Sequence, residues 1–323
     1  MDTLVLCFHR VGNPEHGGRS RLAISPDEFA AALDSVGQTR EFVPLERLSQ
    51  SSSSLRAVVT FDDGYADNLE VALPILETRG IPATFFISTG FIDSDFLYPP
   101  DAIDGLIDAP RDEITVELTN FISDGYWHAL ESLVTLPAEE YWRVLASARD
   151  AVRESVLAQD SSRRPMTLSE VRELASSPLS SLGPHTVTHR RLTDLSHREA
   201  IREIEGSVRF LAENSLATVP YFAYPFGQLG DISPGLAVEV RKRGFEPMTT
   251  LPVMISGLSG GFVARHGVPR LSVGPGEIAQ WGSILALLKL FRPFPRLWLA
   301  LLAVRRKFQA LTAGFERFGE GRA

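Results

Sequence analysis

Two histidines four residues apart, His185 and His189, frame the segment Gly183-Pro184-His185-Thr186-Val187-Thr188-His189. They fall on one face if the segment is helical, and imidazole is the commonest protein ligand of a transition metal. A carboxylate partner stands about 120 residues upstream, in Thr60-Phe61-Asp62-Asp63-Gly64. Two histidines and one carboxylate leave coordination positions open for water and substrate. The second carboxylate of the pair then remains free to take a proton. A metal so held lowers the pKa of bound water and polarises a carbonyl oxygen, so hydrolysis of an amide or ester is the natural reaction. Plainer explanations exist for each part. Surface histidines at this spacing arise by chance, and Asp-Asp-Gly is ordinary turn chemistry. A redox-active iron site uses the same ligand set, so an oxygenase stays open. The chain has no Walker-type phosphate loop.

The elements around these residues alternate between strand and helix. Leu4 to Phe8 reads as a buried strand, and Ser25-Pro26-Asp27-Glu28 as a capped helix start with Phe29, Leu33 and Val36 following at helical spacing. Ala57 to Phe61 is β-rich and runs into Asp62. A helix pattern through Val71, Ile75 and Leu76 ends at Gly80, and Ile81 to Ser88 is the next strand. Strand, helix, strand is the signature of a parallel sheet with covering helices. Residues 94–165 break the rhythm with Trp127, Trp142 and helical spacing at Tyr141, Val144, Leu145 and Ala148, which predicts a helical insertion. The rhythm returns with capping boxes at Thr167–Glu170 and Ser196–Glu199, and with strands at Leu179–Leu182 and Tyr221–Tyr224. A Pro225-Phe226-Gly227 turn, a helix near Leu236–Gly244 and an apolar run at Phe245–Leu251 follow. Both ligand motifs thus follow strands, and ligands collect at the carboxyl ends of strands in parallel sheets and barrels.

With 323 residues, 44% of them apolar and 22% charged, the chain has the composition of an ordinary globular protein. A net charge of −8 argues against a nucleic-acid partner, and a single cysteine, Cys7, excludes an intrachain disulfide. The opening Met1–His9 has neither the basic region nor the apolar length of a secretory signal, which predicts a cytoplasmic location. Charge is uneven. From Lys289 to Ala323 eight Lys or Arg face two Glu, a local net of +6, leaving −14 for the rest. Within this tail, residues 283–307 are apolar, aromatic and basic, but Pro293, Pro295 and the charges split them into pieces too short to span a bilayer. They could lie on a membrane surface as peripheral contact, or pack as amphipathic helices on the rest of the chain.

Thr60-Phe61-Asp62-Asp63-Gly64, His185-Thr186-Val187-Thr188-His189 and Phe222-Ala223-Tyr224-Pro225-Phe226-Gly227 resemble, in that order, three motifs of the polysaccharide deacetylases, the NodB-homology or carbohydrate esterase 4 family. The similarity runs from Phe8-His9-Arg10-Val11 to about Val273. The resemblance implies an α/β fold, a distorted (β/α) barrel with fewer than eight regular strands, over residues 1–278, followed by a tail at 279–323. It implies a divalent metal, usually zinc, on Asp63, His185 and His189, with Asp62 as general base. It also implies an acetylated amino sugar or polysaccharide as substrate, and Tyr224, Pro225 and Phe226 lining its groove, with a backbone amide there stabilising the oxyanion. Two departures stand out. The arginine that often opens the third motif, orienting the catalytic aspartate, is absent, and Arg270 is the substitute. The late Leu-x-His that supplies the general acid is also absent; His9, at the end of the first strand, and His266 are the alternatives. These departures motivate a non-catalytic sugar-binding barrel as a rival reading; a deformylase or other amidohydrolase on a small or lipid-linked sugar is another, which the size of the pocket decides.

Overall fold

The structure, a computed structural model, describes residues 3–14, 19, 22–50, 52–250 and 260–274. The tail expectations for 279–323 therefore lie outside the described residues. Parallel strands form the frame: β1 (Thr3–Phe8), β2 (Arg56–Phe61), β3 (Ala83–Ile87), β4 (Ser180–Pro184), β5 (Tyr221–Ala223), β6 (Glu246–Thr249), β7 (Val268–Pro269) and β8 (Leu271–Ser272). One sheet runs β8-β1-β2-β3-β4, and a second runs β7-β6-β5. Two joints close them into a ring. A parallel bridge pairs Leu182 with Thr218, and Val219 donates its amide to the Leu182 carbonyl at 2.8 Å. At the other joint, Arg270 lies between β7, which pairs with β6, and β8, which pairs with β1. The last stave is one strand kinked at Arg270, so the ring is a (β/α) barrel of seven staves.

Side-chain alternation sorts the strands into two faces. Leu4, Leu6 and Phe8 of β1, Ala57, Val59 and Phe61 of β2, and Ala83, Phe85 and Ile87 of β3 join the outer core under the helices. Phe8, Phe29, Phe61 and Phe85 stack through it with centroids 5.0–5.6 Å apart. The intervening Val5, Val58 and Phe86 pack with Ala223, Met248 and Val268 in a separate cluster. One further step of two along β1 and β2 brings Cys7 and Thr60, then His9 and Asp62. The period of the strands thus carries His9 and Asp62 to the carboxyl end of the barrel on its inner side.

Covering helices begin where the sequence caps them. Ser25, Thr167 and Ser196 each form complete capping boxes, with Glu28, Glu170 and Glu199, at the starts of α1 (Pro26–Gly37), Leu168–Ser176 and His197–Glu213. The helix expected through Val71 is α-helical only over α2 (Leu73–Arg79); residues Asn68–Ala72 are wound as a π turn. Pro74 has no N–H to give the Glu70 carbonyl, which breaks the regular ladder there. The strand expected at Leu179–Leu182 runs on to Pro184, and the apolar run Phe245–Leu251 contributes β6 over Glu246–Thr249 only.

Residues 99–159 form α3 (Pro99–Asp108), α4 (Val116–Phe121), α5 (Tyr126–Thr135) and α6 (Ala138–Gln159). Their apolar stripes make a core of their own, which also takes in Tyr65, Phe91 and part of Phe226 from the barrel mouth. Gly105 lets α3 and α6 meet: a Cβ there would lie 2.7 Å from both Val152 and Val156. The helix count continues with α7 (Leu168–Ser176), α8 (His197–Glu213), α9 (Pro234–Lys242) and α10 (Gly260–His266). No helix among the described residues is long and apolar enough to cross a membrane.

Candidate metal centre

Asp63, His185 and His189 converge at the carboxyl ends of β2 and β4, with one donor atom each in a common cluster. His189 Nε2 lies 3.0 Å and His185 Nε2 3.5 Å from Asp63 Oδ1. The two histidines do not share a helical face as their spacing allowed. Residues 185–189 are an irregular loop after β4, with Thr186 at φ 66° and His189 at φ 57°. Among the described residues, four of the six non-glycine residues with positive φ, namely Asp63, Thr186, His189 and Phe226, sit in the three motif loops. Such backbone strain survives where surrounding contacts over-determine it, and it concentrates at functional sites.

Those contacts are visible. Asp63 is pinned by its carbonyl, which accepts from the Ser88 amide at 2.9 Å and from the Tyr98 hydroxyl at 2.8 Å. The histidine loop is gripped from α8 by Glu203, whose carboxylate accepts from the Val187 and Thr188 amides and from the Thr188 hydroxyl at 2.8–3.0 Å. The insertion holds it from the other side. Tyr141 of α6 donates to the Thr188 carbonyl at 2.6 Å, Arg190 donates to Leu136 O at 3.1 Å, and Arg191 pairs with Glu131 of α5. The motifs and their spacing give Glu203 and Arg191 no site role, and the sequence offers Tyr141 only as part of the apolar stripe of a helix. An acidic residue in a helix that otherwise turns its apolar face to the core is the one signal that marks Glu203.

The arrangement fits a divalent cation. His185 Nδ1 lies 2.9 Å from the Ala223 carbonyl, which can only accept, so Nδ1 carries the proton. In the neutral ring Nε2 then presents a lone pair toward Asp63 Oδ1, itself buried without a hydrogen-bond donor. Two acceptors face each other where a cation would attract both, and the Ala223 contact fixes the tautomer that metal-binding histidines need. Ligand atoms bound to zinc at about 2.0–2.2 Å stand roughly 3.3 Å apart in a tetrahedron, close to the spacings here. Burial lowers the His185 pKa, but Asp62 and Asp63 outweigh it and raise it overall. Burial alone would raise Asp63; His189, His185 and His9 instead hold it well below the usual carboxylate range.

Asp62 is the neighbouring carboxylate outside this triad. Arg270, fully buried in the barrel, donates from Nη1 to Oδ1 at 2.6 Å and from Nη2 to Oδ2 at 2.8 Å. This is the bidentate geometry that a planar guanidinium makes with a carboxylate. Arg270 itself is braced by Thr60 and lies over the Phe86 ring. Burial pushes Asp62 up, but Arg270 and then His185 outweigh it and hold the acid below its ordinary value. Cys7, His9 and Asp62 form a second group of metal-type donors. A cation there would share Asp62 with a fixed guanidinium, so it is the poorer site. Burial lowers the His9 pKa, and the attraction of Asp63 and Asp62 only partly offsets it.

The third motif departs from expectation at Tyr224. Ala223 faces inward, so Tyr224 faces outward, and its ring is buried with Phe222, Ile204 and Leu236 under the helices. Its amide is also committed, donating to the Met248 carbonyl at 3.1 Å. Tyr224 therefore neither lines a groove nor offers an oxyanion donor. Pro225 is buried and its carbonyl accepts from Gly227 at 2.6 Å. Phe226 does reach the site: its ring lies 5.1 Å from His189, and its amide has no partner among the described residues. His266 ends α10.

The chain is similar to several solved deacetylase structures. IcaB from Ammonifex degensii matches at 22% identity with a TM-score of 0.53, over 88% of this chain and 96% of that one. The deacetylase PplD of Streptococcus pyogenes matches at 17% identity and 0.56, over 88% and 98%. BC0361, a polysaccharide deacetylase from Bacillus cereus, matches at 18% identity and 0.56, over 88% and 69%. At these identities the likeness shows a shared fold. No curated protein matches the sequence significantly. The sequence model of the polysaccharide deacetylases, however, matches residues 50–241, which span Asp62, Asp63, His185, His189 and the third motif. A barrel that brings these motifs to one mouth, carried by a sequence that fits the family over more than half its length, makes this chain a member of the polysaccharide deacetylase family and a carbohydrate deacetylase.

Proposed function

We propose that the protein removes N-acetyl groups from an amino sugar of a polysaccharide, using zinc held by Asp63, His185 and His189. The observation that carries this reading is the facing of three metal-type donors beside a separate, arginine-held carboxylate. A divalent metal at that position lowers the pKa of water and polarises the amide carbonyl. Asp62, kept ionised and aimed by Arg270, accepts the proton of the attacking water. Burial lowers the His9 pKa, which favours the neutral imidazole. A neutral imidazole can take a proton from Asp62 on one nitrogen and release one from the other to the departing amine. The Phe226 amide donates to the carbonyl oxygen as negative charge develops on it. Zinc suits a site of nitrogen and oxygen donors with an open position, and needs no redox partner.

The test is a release assay with the zinc-loaded full chain on N-acetylglucosamine oligomers and their N-formyl analogues. The expected result is acetate released in step with new primary amines. Formate released much faster than acetate would replace this reading by the deformylase; no acid from either substrate would sink both.

The proposal extends to location, at the cytoplasmic face of a membrane with residues 283–307 on the lipid surface. Their basic side chains would meet anionic headgroups. The full chain should then float with anionic vesicles. A variant with Arg305, Arg306 and Lys307 changed to Glu should float markedly less, and equal flotation of the two would remove the idea.

A further inference from the structure

Trp127 is 61% exposed, and among the described residues no other Phe, Tyr or Trp is exposed. An indole in water forgoes a large apolar burial, so its place in the fold matters. It lies in α5 one helical turn before Glu131, on the same stripe. The buried stripe of that helix, Tyr126, Ala129, Leu130, Leu133 and Val134, faces the insertion core, which leaves Trp127 and Glu131 together at its edge. Glu131 leads directly to the metal centre. It holds Arg191 through both carboxylate oxygens, the Arg191 guanidinium lies 5.2 Å over the Phe226 ring, and that ring lies 5.1 Å from His189. Arg191 is also fixed by Asp194 at 3.0 Å and Asp231 at 2.7 Å. Leu229, two residues before Asp231, is 42% exposed.

We infer that Trp127 is a sugar-binding platform at the rim of the active site, taking the apolar face of a pyranose next to or beyond the one being deacetylated. A pyranose has one face of C–H bonds and an edge of hydroxyls. The indole offers a flat apolar surface for the first, and the Glu131–Arg191–Asp194 cluster offers charged partners for the second. Trp127 stands one helical turn from Glu131, and Arg191 and Phe226 then separate Glu131 from His189, so a ring on Trp127 belongs to a different sugar unit from the one at the metal centre. The inserted helices thereby make the site one for an oligosaccharide. This inference rests on the proposed deacetylase reading, which supplies the sugar.

Calorimetric titration of the zinc-loaded Asp62→Asn chain, which preserves the acetyl groups, with N-acetylglucosamine oligomers from monomer to hexamer tests it. Affinity should rise with chain length. Adding Trp127→Ala should weaken oligomer binding by about five- to tenfold and leave the monomer unchanged. Trp127→Phe should restore most of the loss, and Val116→Ala, exposed in the same insertion, should change nothing. Equal binding of all lengths by the Trp127→Ala and parent chains, or no dependence on length in the parent, overturns the inference. Failure of the catalytic reading looks different: the zinc-loaded native chain would release no acetate from the same oligomers while Trp127-dependent binding persists.

Discussion

Changing Asp62 to asparagine is expected to leave the metal content of the protein intact and to lower acetate release by about a thousandfold. The substitution keeps the shape and volume of the side chain but removes the negative charge and the basic lone pair. Asp62 is not among the converging donors of the triad, so zinc should still bind. What is lost is the acceptor for the proton of water. The buried Arg270 guanidinium then faces a neutral amide in place of a carboxylate at 2.6 and 2.8 Å. Leaving that cation uncompensated in the barrel should also lower the melting temperature, as loss of one partner of a buried pair generally does. Acetate release is to be compared at equal metal content, measured by elemental analysis. Near-native release by Asp62→Asn would remove Asp62 as the base.

Alanine at Asp63, His185 or His189 should have the opposite signature: metal is lost and acetate release falls to the level of the chelated protein. Each substitution leaves only two of three donors, and the open positions of such a site already belong to water and substrate. The Asp63 variant should have a second effect. In the native chain Asp62 and then Asp63 raise the pKa of His185 against burial; without Asp63 that pKa should fall. A full complement of zinc in any of the three variants, by elemental analysis after dialysis, would contradict the ligand assignment.

The order of strands and helices was legible because it rests on local chemistry. Ser25, Thr167 and Ser196 cap the helices they announce, and the strands expected before Asp62 and His185 are present, the first buried almost throughout and the second over its last three residues. The meeting of Asp63 with His185 and His189 was legible from residue type together with the rule that parallel strands gather ligands at one end. Tyr224 was misjudged because a motif match does not say which face of a strand a residue takes. The period of two that brings Ala223 inward turns Tyr224 to the helices. The looped conformation of His185–His189 had no local signal either, since Thr186 and His189 adopt positive φ without being glycine. That geometry is imposed by Glu203, Tyr141 and the Arg191–Glu131 pair, contacts that bridge 15 to 60 residues. The helical spacing of residues 94–165 predicts an insertion, and its role as one wall of the site emerges only from those tethers.

The central claim is that a metal on Asp63, His185 and His189 is required for deacetylation. It is tested most directly by stripping the full chain with chelator and titrating zinc back while bound metal and acetate release are followed in the same sample. The account predicts no release from the stripped protein, and release that rises in proportion to bound zinc until a single ion per chain is present. Release by the stripped protein at the rate of the loaded one would contradict it.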